Sequence, residues 1–207
     1  MAGLFIVFEG ITGSGKKTQI KMLEQKLRGI GKEVYTIAFP NFESEIARAT
    51  KRPGLDNITL ALLYAADRAQ HQGRIKSLLE KNAVVICDRY CYSNFAYQTV
   101  RGLNLEWLLE IEKDIIKPSL VFVIDVPVDT SMRRVQQANI ADFSKREILE
   151  RIRSEREILE KTRESFLNLS KTIKNGSEWH IIDGNKNIDE INSEIWGIVQ
   201  QHQQLKS

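Results

Sequence analysis

The most chemically informative spacing in this 207-residue sequence is Gly10, four intervening residues, then Gly15-Lys16. Glycines so placed let a loop turn back until several backbone N–H groups converge on one anion. A helix starting near Lys16 aims the positive end of its dipole at the same point, and the lysine adds a mobile ammonium. This is the phosphate-cradling spacing of nucleoside triphosphate sites. Gly10, Thr12, Gly13, Ser14, Gly15, Lys16, Lys17 and Thr18 are its candidate ATP-binding residues. The position whose hydroxyl usually holds Mg²⁺ is Lys17, with Thr18 one residue late. Either another group or water completes the metal shell, or Lys17 supplies part of the positive charge.

A second constellation is Asp88-Arg89-Tyr90, with Ser93, Asn94, Tyr97 and Gln98 following on one helical face. A guanidinium fork suits the bridging of two phosphates, so Arg89 is the candidate for holding acceptor and transferring groups together. Asp88 could orient Arg89 or a metal-bound water, and Glu9 would lie near the acceptor or the metal. Both carboxylates are candidate Mg²⁺ ligands. Tyr64 and Arg68, four apart on a helix, share one face. They are either a base-stacking ring with a base-reading cation, or a core tyrosine with an arginine on its rim.

Such residues need elements to hold them. Apolar runs at 4–8, 34–39, 84–87, 120–124 and 180–182 read as strands, the first and fourth continuous enough to be buried on both faces. Between them lie helical patterns: one through Ile20, Leu23 and Leu27, a long one from about Ile58 to Lys81, others over roughly 93–116, a charged one over 129–174 and a closing helix. Strand alternating with helix predicts an α/β parallel sheet covered on both faces, in a single domain over 1–207. In open parallel sheets ligands bind beyond the carboxyl ends of strands, the edge that Gly10 and Asp88-Arg89 share. The segment 144–153 is nearly repeated by 154–163, with an apolar stripe through Ile148, Ile152, Leu159, Thr162 and Phe166.

The sequence resembles the thymidylate kinases over essentially its whole length. The resemblance rests on Phe8-Glu9-Gly10 through Gly15-Lys16 with Thr18-Gln19, Phe39-Pro40-Asn41, and Leu63 through Arg68. Asp88-Arg89-Tyr90 with Ser93 and Ala96-Tyr97-Gln98, Lys117-Pro118, and Asp125-Val126-Pro127 complete it. It implies a P-loop three-layer fold with a five-stranded sheet and a helical lid over roughly 134–156. It also implies phosphoryl transfer from ATP with Mg²⁺ to thymidylate (dTMP), and a homodimer with helices near 44–80 and 93–113 as candidate contacts. Phe39, Pro40 and Phe42 then form a substrate-side loop, Tyr64 stacks on the base, and Arg68 donates to a base carbonyl. Asn94 and Gln98 sit near the pyrimidine, and Tyr97 crowds the 2′ position of the sugar. Two residues depart from the family pattern: Thr12 stands for an aspartate and Phe42 for an arginine, and both changes could loosen acceptor choice. Because Gly13 occupies the arginine position of the loop, the lid should supply that charge. Arg134 matches best, with Arg133, Arg146, Arg151, Arg153 and Arg156 also available. Asn185 and Lys186 face the adenine or ribose by position.

Composition narrows the rest. A net charge of +3 with 42% hydrophobic and 28% charged residues is an ordinary globular balance, with no field that advertises nucleic acid. No run approaches the roughly 20 apolar residues of a membrane span. Cys87 and Cys91, without nearby partners, read as reduced packing residues in a cytoplasmic protein. Other acceptors (dUMP, UMP, another monophosphate) stay open. So does a GTP- or ATP-binding switch, because Asn185-Lys186-Asn187 imitates a guanine-reading motif, though Ile188 stands where its aspartate belongs. A nucleic-acid-binding ATPase using 145–164 is a third reading; there the charges are interleaved, which suits solvent better than a phosphate backbone.

Overall fold

The computed structural model describes residues 3–137 and 156–202. The candidate lid residues Arg146, Arg151 and Arg153, with Ile148 and Ile152 of the apolar stripe, lie outside the described residues.

Five parallel strands form one sheet in the order β2-β3-β1-β4-β5: β1 Leu4–Glu9, β2 Val34–Ala38, β3 Val84–Asp88, β4 Leu120–Asp125 and β5 Glu178–Asp183. β1 is central, pairing Phe8 with Asp88 on one side and Glu9 with Val123 on the other. The carboxyl ends of β1 and β3 therefore lie side by side, and the loops that follow them share one edge.

Strand alternation sorts the core into two layers. Leu4, Ile6 and Phe8 face Leu23 and Leu27 of helix α1 (Lys16–Gly29) and Ile195 and Val199 of helix α9 (Ile188–Gln201). Phe5 and Val7 face the other helices, among them α3 (Asn57–Gln70), α4 (Gln72–Glu80), α5 (Cys91–Val100), α6 (Leu105–Ile111) and α8 (Arg156–Thr172). Leu159, Thr162 and Phe166 are the buried face of α8, as the apolar stripe predicts. Removing a fully buried leucine such as Leu23 would cost about 2–5 kcal/mol. Helix α7 (Val128–Gln137) follows β4.

Two local features differ from the sequence reading. The stretch from Ile58 to Lys81 is two helices, because Gln72 Nε2 donates to Arg68 O at 2.9 Å, the carbonyl that an unbroken helix would offer to the Gln72 N–H. A short helix α2 (Glu45–Ala49) lies in what periodicity leaves as loop, capped by Ser44 Oγ accepting from Ala47 N at 3.0 Å. Cys87 and Cys91 are buried free thiols, and burial raises both well above the usual thiol range.

Candidate active site

The loop after β1 is shaped by glycines. Gly10 (φ +133°) leaves no room for a side chain, since a Cβ would lie 2.6 Å from Ile124 O; at Gly13 (φ +75°) it would lie 2.6 Å from Ser131 O. Gly15 precedes α1, and no side chain among the described residues caps that helix, so its first N–H groups are left for an anion. Lys16, 6% exposed, folds over the loop, its Nζ donating to Gly10 O and Ile11 O at 3.0 Å. Burial, reinforced by the charge of Arg89, lowers its pKa to about 7. A phosphate at the loop reverses that balance by offering the ammonium an opposite charge.

A cavity of about 610 Å³ opens over this loop, lined by Thr12 through Gln19, Asp88, Arg89, Arg134 and Lys186 among others. Arg134 spans its rim, with Nη1 donating to Ser14 O at 3.2 Å and Nη2 to Gly184 O at 2.7 Å. It thus ties α7 to the phosphate loop and to the turn after β5. Arg133 and Arg156 do not line the cavity. Arg156 pairs with Asp129 at 2.8 Å and Glu160 at 3.0 Å on the surface. Asn185 also lies outside the lining: its amide donates to Asp183 and accepts from Thr130. Asn187, the third residue of the guanine-motif imitation, instead caps α9 through Glu190 N at 2.8 Å. Ile188 is 55% exposed, so the imitation does not assemble into a base-reading site.

A second cavity, about 260 Å³, adjoins the first and shares Thr12 and Arg89 with it. Phe39, Pro40, Tyr64, Arg68, Ser93, Asn94, Tyr97 and Gln98 line it, as do Tyr90, Arg101 and Leu159, to which the sequence assigned no site role. Phe42 is absent from the lining. It is 44% exposed, with Lys51 Nζ 4.2 Å from its ring centroid. The loop that holds Phe39 and Pro40 is instead fixed by buried Asp67, which accepts from Asn41 N at 2.7 Å and Ser44 Oγ at 2.9 Å.

Arg89 stands where the cavities meet. Its φ of +68° is a left-handed conformation that costs about 1–3 kcal/mol for a non-glycine residue, held here by its N–H donating to Phe8 O at 2.9 Å. Nη1 donates to Ser93 Oγ at 3.0 Å, and that hydroxyl in turn donates to Glu9 Oε2 at 2.6 Å. Glu9 also accepts from Tyr90 N and Ser93 N. It lines neither cavity and supports Arg89 from behind through Ser93. Burial raises its pKa to about 7, against the lowering pull of Ser93 and Arg89. Asp88 does line the phosphate cavity, and its Oδ1 is buried without a hydrogen-bond partner among the described residues. Among the described residues no group of three His, Cys, Asp or Glu side chains gathers into a metal cage. One free carboxylate oxygen beside the cradle fits a cation that arrives with a triphosphate and keeps most of its waters.

Arg68 lines the acceptor cavity but is not a rim arginine. It is 3% exposed and paired in a fork with Glu112, Nε to Oε2 at 2.6 Å and Nη2 to Oε1 at 2.5 Å. Burial alone would lower its pKa, and the Glu112 carboxylate outweighs that and raises it. Glu112 lies 44 residues away in the chain and carries no sequence signal as its partner.

A phosphate-cradling loop between a buried strand and a helix, on a parallel sheet with an adjoining acceptor cavity, defines a P-loop phosphotransferase of the nucleotide-kinase class. Comparison with known proteins narrows the class. The thymidylate kinase family model matches residues 8–195. The chain is 37% identical to a probable thymidylate kinase of Pyrococcus abyssi, over 97% of each chain. It is 38% identical to that of Methanocaldococcus jannaschii, over 95% of this chain and 96% of the other. With the thymidylate kinase of Plasmodium falciparum the identity is 34%, over 93% and 88%. The chain belongs to the thymidylate kinase family.

Proposed function

We propose that this protein transfers the γ-phosphoryl group of ATP, bound with Mg²⁺, to the 5′-phosphate of thymidylate, giving ADP and dTDP. The observation that carries the reading is the junction of the two cavities at Thr12 and Arg89, which line both. A phosphate entering from either side meets the same guanidinium. Lys16 and the first N–H groups of α1 hold the donor phosphates, Arg134 closes the rim, and Arg89 neutralises charge at the oxygens between donor and acceptor. Asp88, which lines one cavity with Thr18, would hold the cation, and when bound that cation would offset charge on the donor phosphates. Lys17 contributes positive charge without ligating the metal.

On the acceptor side, Tyr64 offers a ring face, Arg68 a donor and Asn94 a polar edge to the base. Tyr97 flanks Arg89, whose guanidinium carbon lies 5.6 Å from its ring centroid. Thr12, which receives a 3.5 Å contact from Arg89 Nη2, takes the place of a family carboxylate near the acceptor sugar. We further infer a homodimer and one folded domain. In support, Ile58 and Leu62, four apart on α3, and Leu109 on α6 leave apolar surface exposed. No helix among the described residues is long and apolar enough to cross a membrane, and the cytoplasm is the compartment we propose. ADP formation with dTMP, dUMP, UMP, CMP and AMP as acceptors tests the reaction. Turnover strongest with dTMP supports it, and no acceptor raising turnover above the ATP-only background defeats it.

A further inference from the structure

The wall that reads the base is itself oriented from behind. Glu112, the residue after α6, is 1% exposed and does not line the acceptor cavity, yet it touches two residues that do. Its Oε1 accepts from Asn94 Nδ2 at 3.0 Å in addition to the fork from Arg68. The same Asn94 nitrogen donates to Ala61 O at 3.1 Å.

We infer that Glu112 sets the hydrogen-bond polarity of this wall, and so makes the site select 4-oxopyrimidines over 4-aminopyrimidines; this rests on the pyrimidine-nucleotide kinase reading above. A carboxylate and a backbone carbonyl can only accept, so together they claim the NH₂ end of the Asn94 amide. The oxygen end is what remains, and Asn94 Oδ1 is buried with no partner among the described residues. A buried acceptor in that state is costly until a ligand donates to it. On Arg68 the Nε–Nη2 edge is taken by Glu112, which leaves Nη1 as the nitrogen free to donate. Arg68 and Asn94 together therefore present one donor and one acceptor, and Gln98 Oε1, also buried without a partner among the described residues, adds a further acceptor to the wall. Thymine and uracil match both, with an acceptor at O4 and a donor at N3–H. Cytosine opposes both, with an amino donor at C4 and an acceptor at N3. A Gln in place of Glu112 cannot accept from both Arg68 nitrogens, so the fork loosens and Ala61 O is left as the fixed acceptor holding the Asn94 amide.

Glu112→Gln separates this positioning role from a merely structural one. The expected result is a fall of about tenfold or more in the ratio of kcat/KM for dTMP over dCMP, with the loss on dTMP carried by KM and the KM for ATP unchanged. An unchanged ratio, whatever the loss of overall activity, overturns the inference. The native chain gives a second readout that does not depend on how the variant folds. It should bind dTMP about tenfold or more tighter than both dCMP and 3-methyl-dTMP, in which N3 cannot donate. Equal binding of the three also overturns it. Preferential dTMP binding without any acceptor turnover would sink the kinase reading and leave the wall's polarity standing.

Discussion

The phosphate end and the base end of this site are built by opposite means. At the phosphate end the recognition groups are mostly backbone: a loop forced into shape by Gly10 and Gly13, and the uncapped start of α1. At the base end they are side chains locked by other side chains, through a fully buried Arg68–Glu112 fork and the amide of Asn94. A backbone cradle is written in consecutive residues and binds any triphosphate of the right shape. A side-chain lattice assembles from distant parts of the chain and can tell one base from another.

The sharpest way to break this contrast is to remove the cations. Lys16→Ala or Arg89→Ala should lower kcat/KM by about 10³-fold, because each supplies charge in a site with little water to substitute for it. Steady-state kinetics with dTMP checks this, and a loss under tenfold for Arg89→Ala would remove it from the junction. Arg68→Met should act differently, raising the KM for dTMP and lowering stability by about 3–5 kcal/mol, since it leaves Glu112 as a buried unpaired charge. Denaturant unfolding of the variant measures that cost.

Glu9 sharpens the comparison through pH. Its pKa rises from 4.5 to about 7 in the fold, chiefly through burial. Between those values the native chain keeps a proton that the unfolded chain has lost, so this group's stabilising contribution is full below about 4.5 and fades as pH rises through about 7. Glu9→Gln, which mimics the protonated form, should therefore gain on the native chain by ~2 kcal/mol between pH 5 and pH 8. Thermal unfolding at the two pH values checks it, and a gap that narrows with rising pH would reverse the assignment. The smallest effect belongs to Arg163, whose fork to Asp125 joins α8 to the end of β4 at 2.6 and 2.8 Å. The pair is partly exposed, so Arg163→Ala should cost only about 1 kcal/mol.

The same contrast explains what the sequence could reveal. β1, the Gly10-to-Lys16 loop and Asp88-Arg89 are local patterns, and strand pairing brings them to one edge without further information. Tyr64, Arg68, Asn94 and Gln98 could be placed on helix faces by spacing, and the structure brings all four to one cavity. Their orientation could not be read that way. Arg68 looks free in sequence because its partner lies 44 positions on, in an unremarkable helix end. Nor could spacing show that Asp67 holds Asn41 N and Ser44 Oγ while Phe42 lies exposed outside the cavity lining. The break at His71 was hidden because Gln72, a good helix former by propensity, spends its side chain on the Arg68 carbonyl.

Donor and acceptor phosphates are proposed to meet at Arg89, which lines both cavities. A bisubstrate analogue, adenosine and thymidine joined through a pentaphosphate, tests it most directly by isothermal titration. It should bind about 10²-fold or more tighter than ATP or dTMP alone, because one molecule fills both cavities, and Arg89→Ala should lose that gain. An analogue that binds no tighter than ATP alone would show that the two cavities are not one active site.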